Sequence, residues 1–213
     1  LSSPLASWRV ISEENPAIAD ELDSTFILRN GPIPFYVNDT NTLGDIYCSA
    51  PGSSTNDGLA VTRPKKIIDD IFKAYNLDEG DTVYVDTGIY QLAQPTYIGK
   101  LDGGSTSAYV YVLGSTNAAA GGTVLVPMAI PLDTNIILNI TNDTSFALVG
   151  VSHVSIANVL IDGFQTGLKF DLFSSENIIS NTLIRNSLNA GVSVTLSALN
   201  TIDRSVITRN IGP

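Results

Sequence analysis

The sequence predicts an all-β solenoid of short parallel strands stacked in successive circuits, and three observations carry that prediction. A phrase recurs at a fixed step: Ala157-Asn158-Val159-Leu160-Ile161-Asp162 becomes Ser180-Asn181-Thr182-Leu183-Ile184-Arg185, then Asp203-Arg204-Ser205-Val206-Ile207-Thr208, 23 residues apart each time. Ile156, Ile179 and Ile202 hold the same register ahead of it. A second apolar run follows the phrase, Gly167-Leu168-Lys169-Phe170 in one unit and Gly191-Val192-Ser193-Val194 in the next, 24 residues on. A period in the low twenties means units that bury their apolar face only by stacking on one another. These units lack the several leucines and helical return of a leucine-rich repeat. They carry Ile/Val/Leu runs separated by Asn, Ser, Thr, Asp and Gly, which read as strands and turns. Two or three short strands per circuit, with no helix, describe a parallel β-helix.

Stacking also explains which residues recur. Equivalent positions lie about 4.8 Å apart along the stack, so Ile156, Ile179 and Ile202 are expected to form an inward aliphatic ladder. Asn177 with Asn200, and Asn158 with Asn181, are expected to form short amide ladders at turns. Arg204 interrupts the second of these and marks an exposed turn.

Taken from the N-terminus, residues 1–34 carry no 23-residue step. Pro4, Pro16, Pro32 and Pro34 punctuate them, and Trp8-Arg9-Val10-Ile11 and Phe26-Ile27-Leu28 read as strands flanking a short acidic helix near residues 16–22. This segment reads as a connector or cap, and the β-helix domain as residues 35–213. Pro34-Phe35-Tyr36-Val37-Asn38-Asp39 is a strand running into a polar turn. A long loop follows, through Gly52-Ser53-Ser54-Thr55-Asn56-Asp57-Gly58. Ile67, Ile68, Ile71, Phe72 and Tyr75 then lie along one face of an expected helix over 64–75, with Thr62 near its N-cap and Pro64 in its first turn. An amphipathic helix here suits a lid on the apolar end of the stack. Thr82-Val83-Tyr84-Val85, Ala108-Tyr109-Val110-Tyr111-Val112-Leu113-Gly114 and Gly122-Thr123-Val124-Leu125-Val126 read as strands, and Ile136-Ile137-Leu138-Asn139 as a worn circuit, giving about five or six circuits in all.

Tyr36-Val37-Asn38, Gly52-Ser53-Ser54-Thr55-Asn56-Asp57-Gly58, Arg63-Pro64-Lys65-Lys66-Ile67-Ile68 and Gly80-Asp81-Thr82-Val83-Tyr84-Val85-Asp86-Thr87-Gly88-Ile89-Tyr90 together resemble the opening of right-handed parallel β-helix domains. Those are the pectate-lyase-like repeat domains of large secreted bacterial proteins. The resemblance spans about residues 35–210. It implies a fold, with a structural cap and first circuit rather than a catalytic motif.

Composition bounds the partners. Hydrophobic residues make up 44% of 213, enough for a substantial core. Eleven basic against 21 acidic residues leave a net charge of −10, which argues against a phosphate-backbone partner. No apolar run approaches the ~20 residues that span a bilayer. The acidic, Lys-poor, Asn/Thr/Ser/Gly-rich character points to an extracellular or cell-surface protein. Cys48 stands alone and reads as a small buried hydrophobe.

Chemistry is sparse. The lone His153 has no partner histidine or nucleophile elbow beside it and reads as a turn or surface residue. A β-helix lyase needs a basic residue to abstract a proton α to a carboxylate, with calcium held by clustered carboxylates. Asp162, Lys169 and Arg185 are the candidates for such a patch. A β-helix glycosidase needs carboxylates a few ångströms apart. Asp162 and Asp171 are available, but Arg185 and Thr208 stack on Asp162, and Val194 stands at the position equivalent to Asp171. Asp39, Asn41, Asp45, Asn56 and Asp57 are the candidate calcium ligands, in loops without EF-hand spacing, where polar turn chemistry is the competing reading. Asn38, Asn139 and Asn142 open glycosylation sequons.

The projected next turn glycine falls near position 214 or 215, so the last circuit is expected to be incomplete. Its continuation would come from further domains of a longer chain or from neighbouring copies. The expected function is a non-catalytic structural or adhesive module of a secreted or surface protein, with no cofactor unless calcium binds. The alternative is a carbohydrate-active enzyme, a polysaccharide lyase or glycoside hydrolase acting on acidic polysaccharide, or a glycan-binding module, which aromatic residues aligned on one outer face would support.

Overall fold

A strand covered on one face alternates buried and exposed side chains. The recurring phrase does so: Val159 and Ile161 are buried, while Leu160 and Asp162 are half-buried. The computed structural model describes residues 3–6, 9–13, 19–21, 26–28, 31–128 and 144–211. The expected circuit at 136–139, the sequons at Asn139 and Asn142, and Gly212 and Pro213 lie outside them. The chain divides into two compact units, Leu1–Ile33 and Pro34–Pro213.

The first unit contains β1 (Ser3–Ala6), β2 (Arg9–Ile11), β3 (Ala19–Glu21) and β4 (Phe26–Leu28). β1 pairs antiparallel with β4 and β2 with β3. The acidic helix expected near residues 16–22 is therefore corrected, because Ala19–Glu21 is a strand. A helix that short is marginal alone, whereas pairing with β2 gives the same backbone groups partners.

The second unit is built from β5 (Pro34–Val37), β6 (Thr82–Val85), β7 (Gly88–Leu92), β8 (Thr96–Ile98), β9 (Val110–Gly114), β10 (Thr123–Pro127), β11 (Thr144–Val149), β12 (Val154–Ala157), β13 (Val159–Asp162), β14 (Thr166–Asp171), β15 (Ile178–Ser180), β16 (Leu183–Arg185), β17 (Ala190–Val194), β18 (Thr201–Asp203) and β19 (Val206–Thr208). They form three all-parallel sheets, ordered β18-β15-β12-β9-β6-β5, β19-β16-β13-β10-β7 and β17-β14-β11-β8. From β6 onward the chain visits the three sheets in rotation. The architecture is thus all-β, dominated by parallel pairing, and compatible with a parallel β-helix.

Register sorts the core into columns, of which at least one in each sheet runs from its first strand to its last. Phe35, Val83, Val112, Ile156, Ile179 and Ile202 align in the six-stranded sheet. Tyr90, Leu125, Ile161, Ile184 and Ile207 align in the five-stranded sheet. Ile98, Leu148, Phe170 and Val194 align in the four-stranded sheet. Every member is at most 2% exposed except the last of each column, where Ile202 is 40%, Ile207 45% and Val194 57% exposed. No strand among the described residues lies beyond those three.

The corners repeat as strictly as the core. Left-handed backbone occurs at Gly150, Phe173 and Leu196, at His153, Glu176 and Leu199, at Asn158, Asn181 and Arg204, and at Gly163, Asn186 and Arg209, each series stepping by 23. Such a conformation costs a non-glycine residue roughly 1–2 kcal/mol, so the strand pairing it permits must offset that cost at every circuit. The step lengthens to 24 within β14 and β17, where Thr166 pairs with Ala190 and Phe170 with Val194, and is 23 again by Phe173 and Leu196. Asn177 and Asn200 form the expected ladder. Asn177 Nδ2 donates to Asn200 Oδ1 at 2.9 Å and to the Val151 carbonyl at 3.1 Å, and its Oδ1 accepts from Val154 N at 2.9 Å. Gly114, opposite Asn158 in the circuit above, has no room for a Cβ, which would collide with the Asn158 carbonyl.

The helix expected over residues 64–75 is shorter, α1 (Asp69–Ala74), and no side chain caps its start at Ile68. Lys65 is the reason. Its N–H donates to the Tyr36 carbonyl and its carbonyl accepts from Asn38 N, both at 2.9 Å, so its backbone serves a bridge to β5 and cannot begin a helix. Ile68 and Ile71 are nonetheless fully buried, and the Tyr75 ring packs 5.0 Å from that of Phe35.

The columns yield a graded prediction. Ile179→Ala opens a cavity in a closed column and should cost about 2–5 kcal/mol. Ile202→Ala, at the open end of the same column, should cost roughly half as much or less. Urea denaturation followed by circular dichroism measures both, and equal losses would contradict the column arrangement.

Candidate functional site

Outward positions of the sheets decide what chemistry the chain can present. β13 and β16 pair Asp162 with Arg185 in register, and Thr208 of β19 stands next in the row. Arg185 Nε and Nη2 donate to Asp162 Oδ2 at 2.9 and 2.8 Å, and Asn186 Nδ2 donates to Asp162 Oδ1 at 2.7 Å. Both carboxylate oxygens and the guanidinium are therefore engaged with one another. A base available for proton abstraction is not what this geometry presents.

Lys169 lies elsewhere. It is on β14, in the four-stranded sheet, so the structure does not unite it with Asp162 and Arg185. Its Nζ lies 2.7 Å from Asp171 Oδ2, two residues along the same strand face. That hydrogen bond, aided by the N–H of Leu172, holds the Asp171 carboxyl below its ordinary value of 3.8. Tyr97, Ala147, Lys169 and Ser193 form one outward row across the four strands. Beside Lys169 is a trough of about 540 Å³, lined by Gln165, Thr166, Asn189, Ser193 and Thr195 among others. Tyr97, at the end of the row, is 53% exposed. The trough has one cation, several amides and hydroxyls, and no carboxylate among its lining residues.

The loop candidates are occupied by turn chemistry. Asp39 Oδ1 accepts from Asn41 N at 2.7 Å, and Asn41 Oδ1 accepts from Leu43 N at 3.0 Å. Asp45 Oδ2 accepts from Asn38 Nδ2 at 2.6 Å. Burial raises the Asp45 carboxyl above its ordinary value, Asp86 and Asp39 add to that, and the Asn38 hydrogen bond opposes it. Asn56 Nδ2 donates to the Pro64 carbonyl at 2.9 Å, while Asp57 accepts from Leu59 N at 3.0 Å and pairs with Arg63 at 2.9 Å. Asp57 is partly desolvated, but those donors outweigh burial and lower its pKa. Among the described residues, no three His, Cys, Asp or Glu side chains gather closely enough to hold a metal ion.

His153 sits at a left-handed corner, 12% exposed, with Nε2 2.7 Å from Glu176 Oε2 and its ring edge-on to Tyr109 at 5.4 Å. Cys48 is half-buried, and burial, with Asp86 nearby, pushes its thiol well up, which disfavours the nucleophilic thiolate. Aromatic rings also gather at the six-stranded sheet, where Tyr84 stacks 5.7 Å from Tyr36 and lies tilted 4.9 Å from Tyr47, and Tyr109 lies 6.4 Å from Tyr111.

Two features escaped sequence reasoning. Asp86, fully buried, accepts from the N–H groups of Ile46, Tyr47, Cys48 and Thr87 at 2.6–2.8 Å and so fastens the 39–58 loop to the β6–β7 corner. Three of these four partners lie about 40 residues away and leave no local pattern. Tyr97 was findable, since the alternation in Thr96-Tyr97-Ile98 places it outward.

Compared with family models, curated proteins and solved structures, the chain matches none.

Two outcomes follow for the charged pairs. Arg185→Ala should lower stability by about 1 kcal/mol, as for a partly exposed ion pair, in urea titrations at neutral pH. Because pairing depresses the Asp171 pKa, its contribution is present above pH 3.8 and is lost as pH falls through the lower, folded value. Asp171→Asn should therefore destabilise the protein at pH 7 and matter progressively less below pH 3.8, measured by paired urea titrations.

Proposed function

We propose that the chain is a non-catalytic structural or adhesive module of a secreted or cell-surface protein, built as a right-handed parallel β-helix of pectate-lyase-like architecture with α1 capping its N-terminal end. The single observation that carries this reading is the fate of the charged residues. Asp162 and Arg185 are spent on a pair that ties two strands together and Lys169 and Asp171 on a pair along one strand, leaving none of the four as an acid or base aimed at an open site. A scaffold needs such pairs, and a lyase or glycosidase needs them unpaired and facing substrate. The net charge of −10 supports a soluble, self-repelling surface outside the cell.

A second reading, a glycan-binding module, is favoured by the trough beside Lys169. One ammonium among amides and hydroxyls, paired with Asp171 until a ligand carboxylate displaces it, with an exposed tyrosine in the same row, suits an acidic polysaccharide laid across the four-stranded sheet. The two readings separate on one experiment. Purified protein is incubated with polygalacturonate and alginate, with and without calcium, while unsaturated product is followed by ultraviolet absorbance and binding by affinity electrophoresis. The scaffold reading expects neither product nor retardation. Retardation lost in Lys169→Ala, without product, would establish glycan binding, and product lost in Arg185→Ala would overturn both in favour of a lyase.

A further inference from the structure

At the edge of the five-stranded sheet, β7 and the loops beside it enclose a cavity of about 510 Å³ away from the Lys169 trough. Its polar lining includes Asp39, Lys66, Asp70 and Gln91, and its apolar lining includes Ile89 and Met128, which are 62% and 41% exposed. The two neighbouring helix carboxylates differ in how they are satisfied. Asp69 is paired with Lys73 and accepts from Gln94 Nε2 at 2.7 Å. Asp70 has no ion pair among the described residues, and its buried Oδ2 has no hydrogen-bond partner there. A buried carboxylate oxygen without a donor is costly and calls for one. Asp39 supplies a second carboxylate, with one oxygen already used by Asn41 N and the other lying over Gly88.

We propose that this cavity binds an aliphatic ammonium group, the ammonium between Asp39 and Asp70 and its alkyl stem along Ile89 and Met128. Charge selects the class. Two carboxylates face one lysine inside a chain of net charge −10, so the site attracts a cation and repels the anionic sugars suited to the trough. The apolar wall selects an alkyl-bearing cation over a bare metal ion, which gains nothing from Ile89 and Met128, and among the described residues no three His, Cys, Asp or Glu side chains gather to hold one. This inference is independent of the scaffold reading.

Isothermal titration of the whole chain with cadaverine and with Nα-acetyl-lysine amide tests it, the two arms separating free diamines from lysine side chains of a partner. Saturable binding of either is expected, weakening as salt rises. Binding should fall about tenfold in Asp70→Asn and tighten about threefold in Lys66→Gln, which removes the opposing charge, with both variants melting as the parent does. Nα,Nε-diacetyl-lysine amide, which keeps the stem and lacks the charge, should not bind. No saturable response, equal binding of the acetylated probe, weaker binding in Lys66→Gln, or a response to calcium in place of the amines would each overturn the proposal.

Discussion

Each strand from β9 to β16 is hydrogen-bonded to its counterpart one circuit before and one circuit after, and most else in the second unit follows from that requirement. A chain that must return to the same lateral position every 23 residues has to turn its corners at the same places each time. It does so in the left-handed region, at four recurring positions between Gly150 and Arg209, with Leu172 an extra such residue beside Phe173. Where glycine stands, as at Gly150 and Gly163, the corner is free of strain. Where Phe173, Leu196 or Leu199 stands, the backbone bears a cost that only the pairing on either side can offset.

The same constraint shapes the polar groups. The inward columns are mostly apolar, with Thr96 and Thr123 as buried exceptions, and at the corners polar residues find partners that recur one circuit away, as with Asn177 and Asn200. Asp86 shows the other solution. It is a carboxylate with no repeat equivalent, kept buried because four backbone N–H groups converge on it and exchange for the water it has lost. The loop it holds in place supplies Asp39 to the cavity beside β7, so a structural anchor and a candidate binding surface are parts of one arrangement.

Outward positions escape the constraint and are free to vary from circuit to circuit. Asp162, Arg185 and Thr208 share one column while differing in charge and size. The row Tyr97, Ala147, Lys169 and Ser193 places one cation, paired with Asp171, and one exposed ring on the outer face of the four-stranded sheet. The trough on the four-stranded sheet, lined by one lysine, is separate from the cavity at the edge of the five-stranded sheet, lined by two carboxylates and one lysine.

Periodicity by itself determined the parallel all-β class, the inward isoleucine ladder, the Asn177–Asn200 pair and the stacking of Arg185 on Asp162, because in a stacked fold the neighbour in space is the neighbour one period away in sequence. It could not set the length of α1, since the bridge that claims the Lys65 backbone depends on where β5 lies. Nor could it show that residues 19–21 pair with β2, or that Lys169 belongs to a different sheet from Arg185, because the angle turned between successive strands is a property of the corners. The satisfaction of Asp86 and the unpartnered oxygen of Asp70 were likewise decided only by tertiary structure. Both depend on loops brought together across tens of residues with no repeat, where sequence distance carries no information about distance in space.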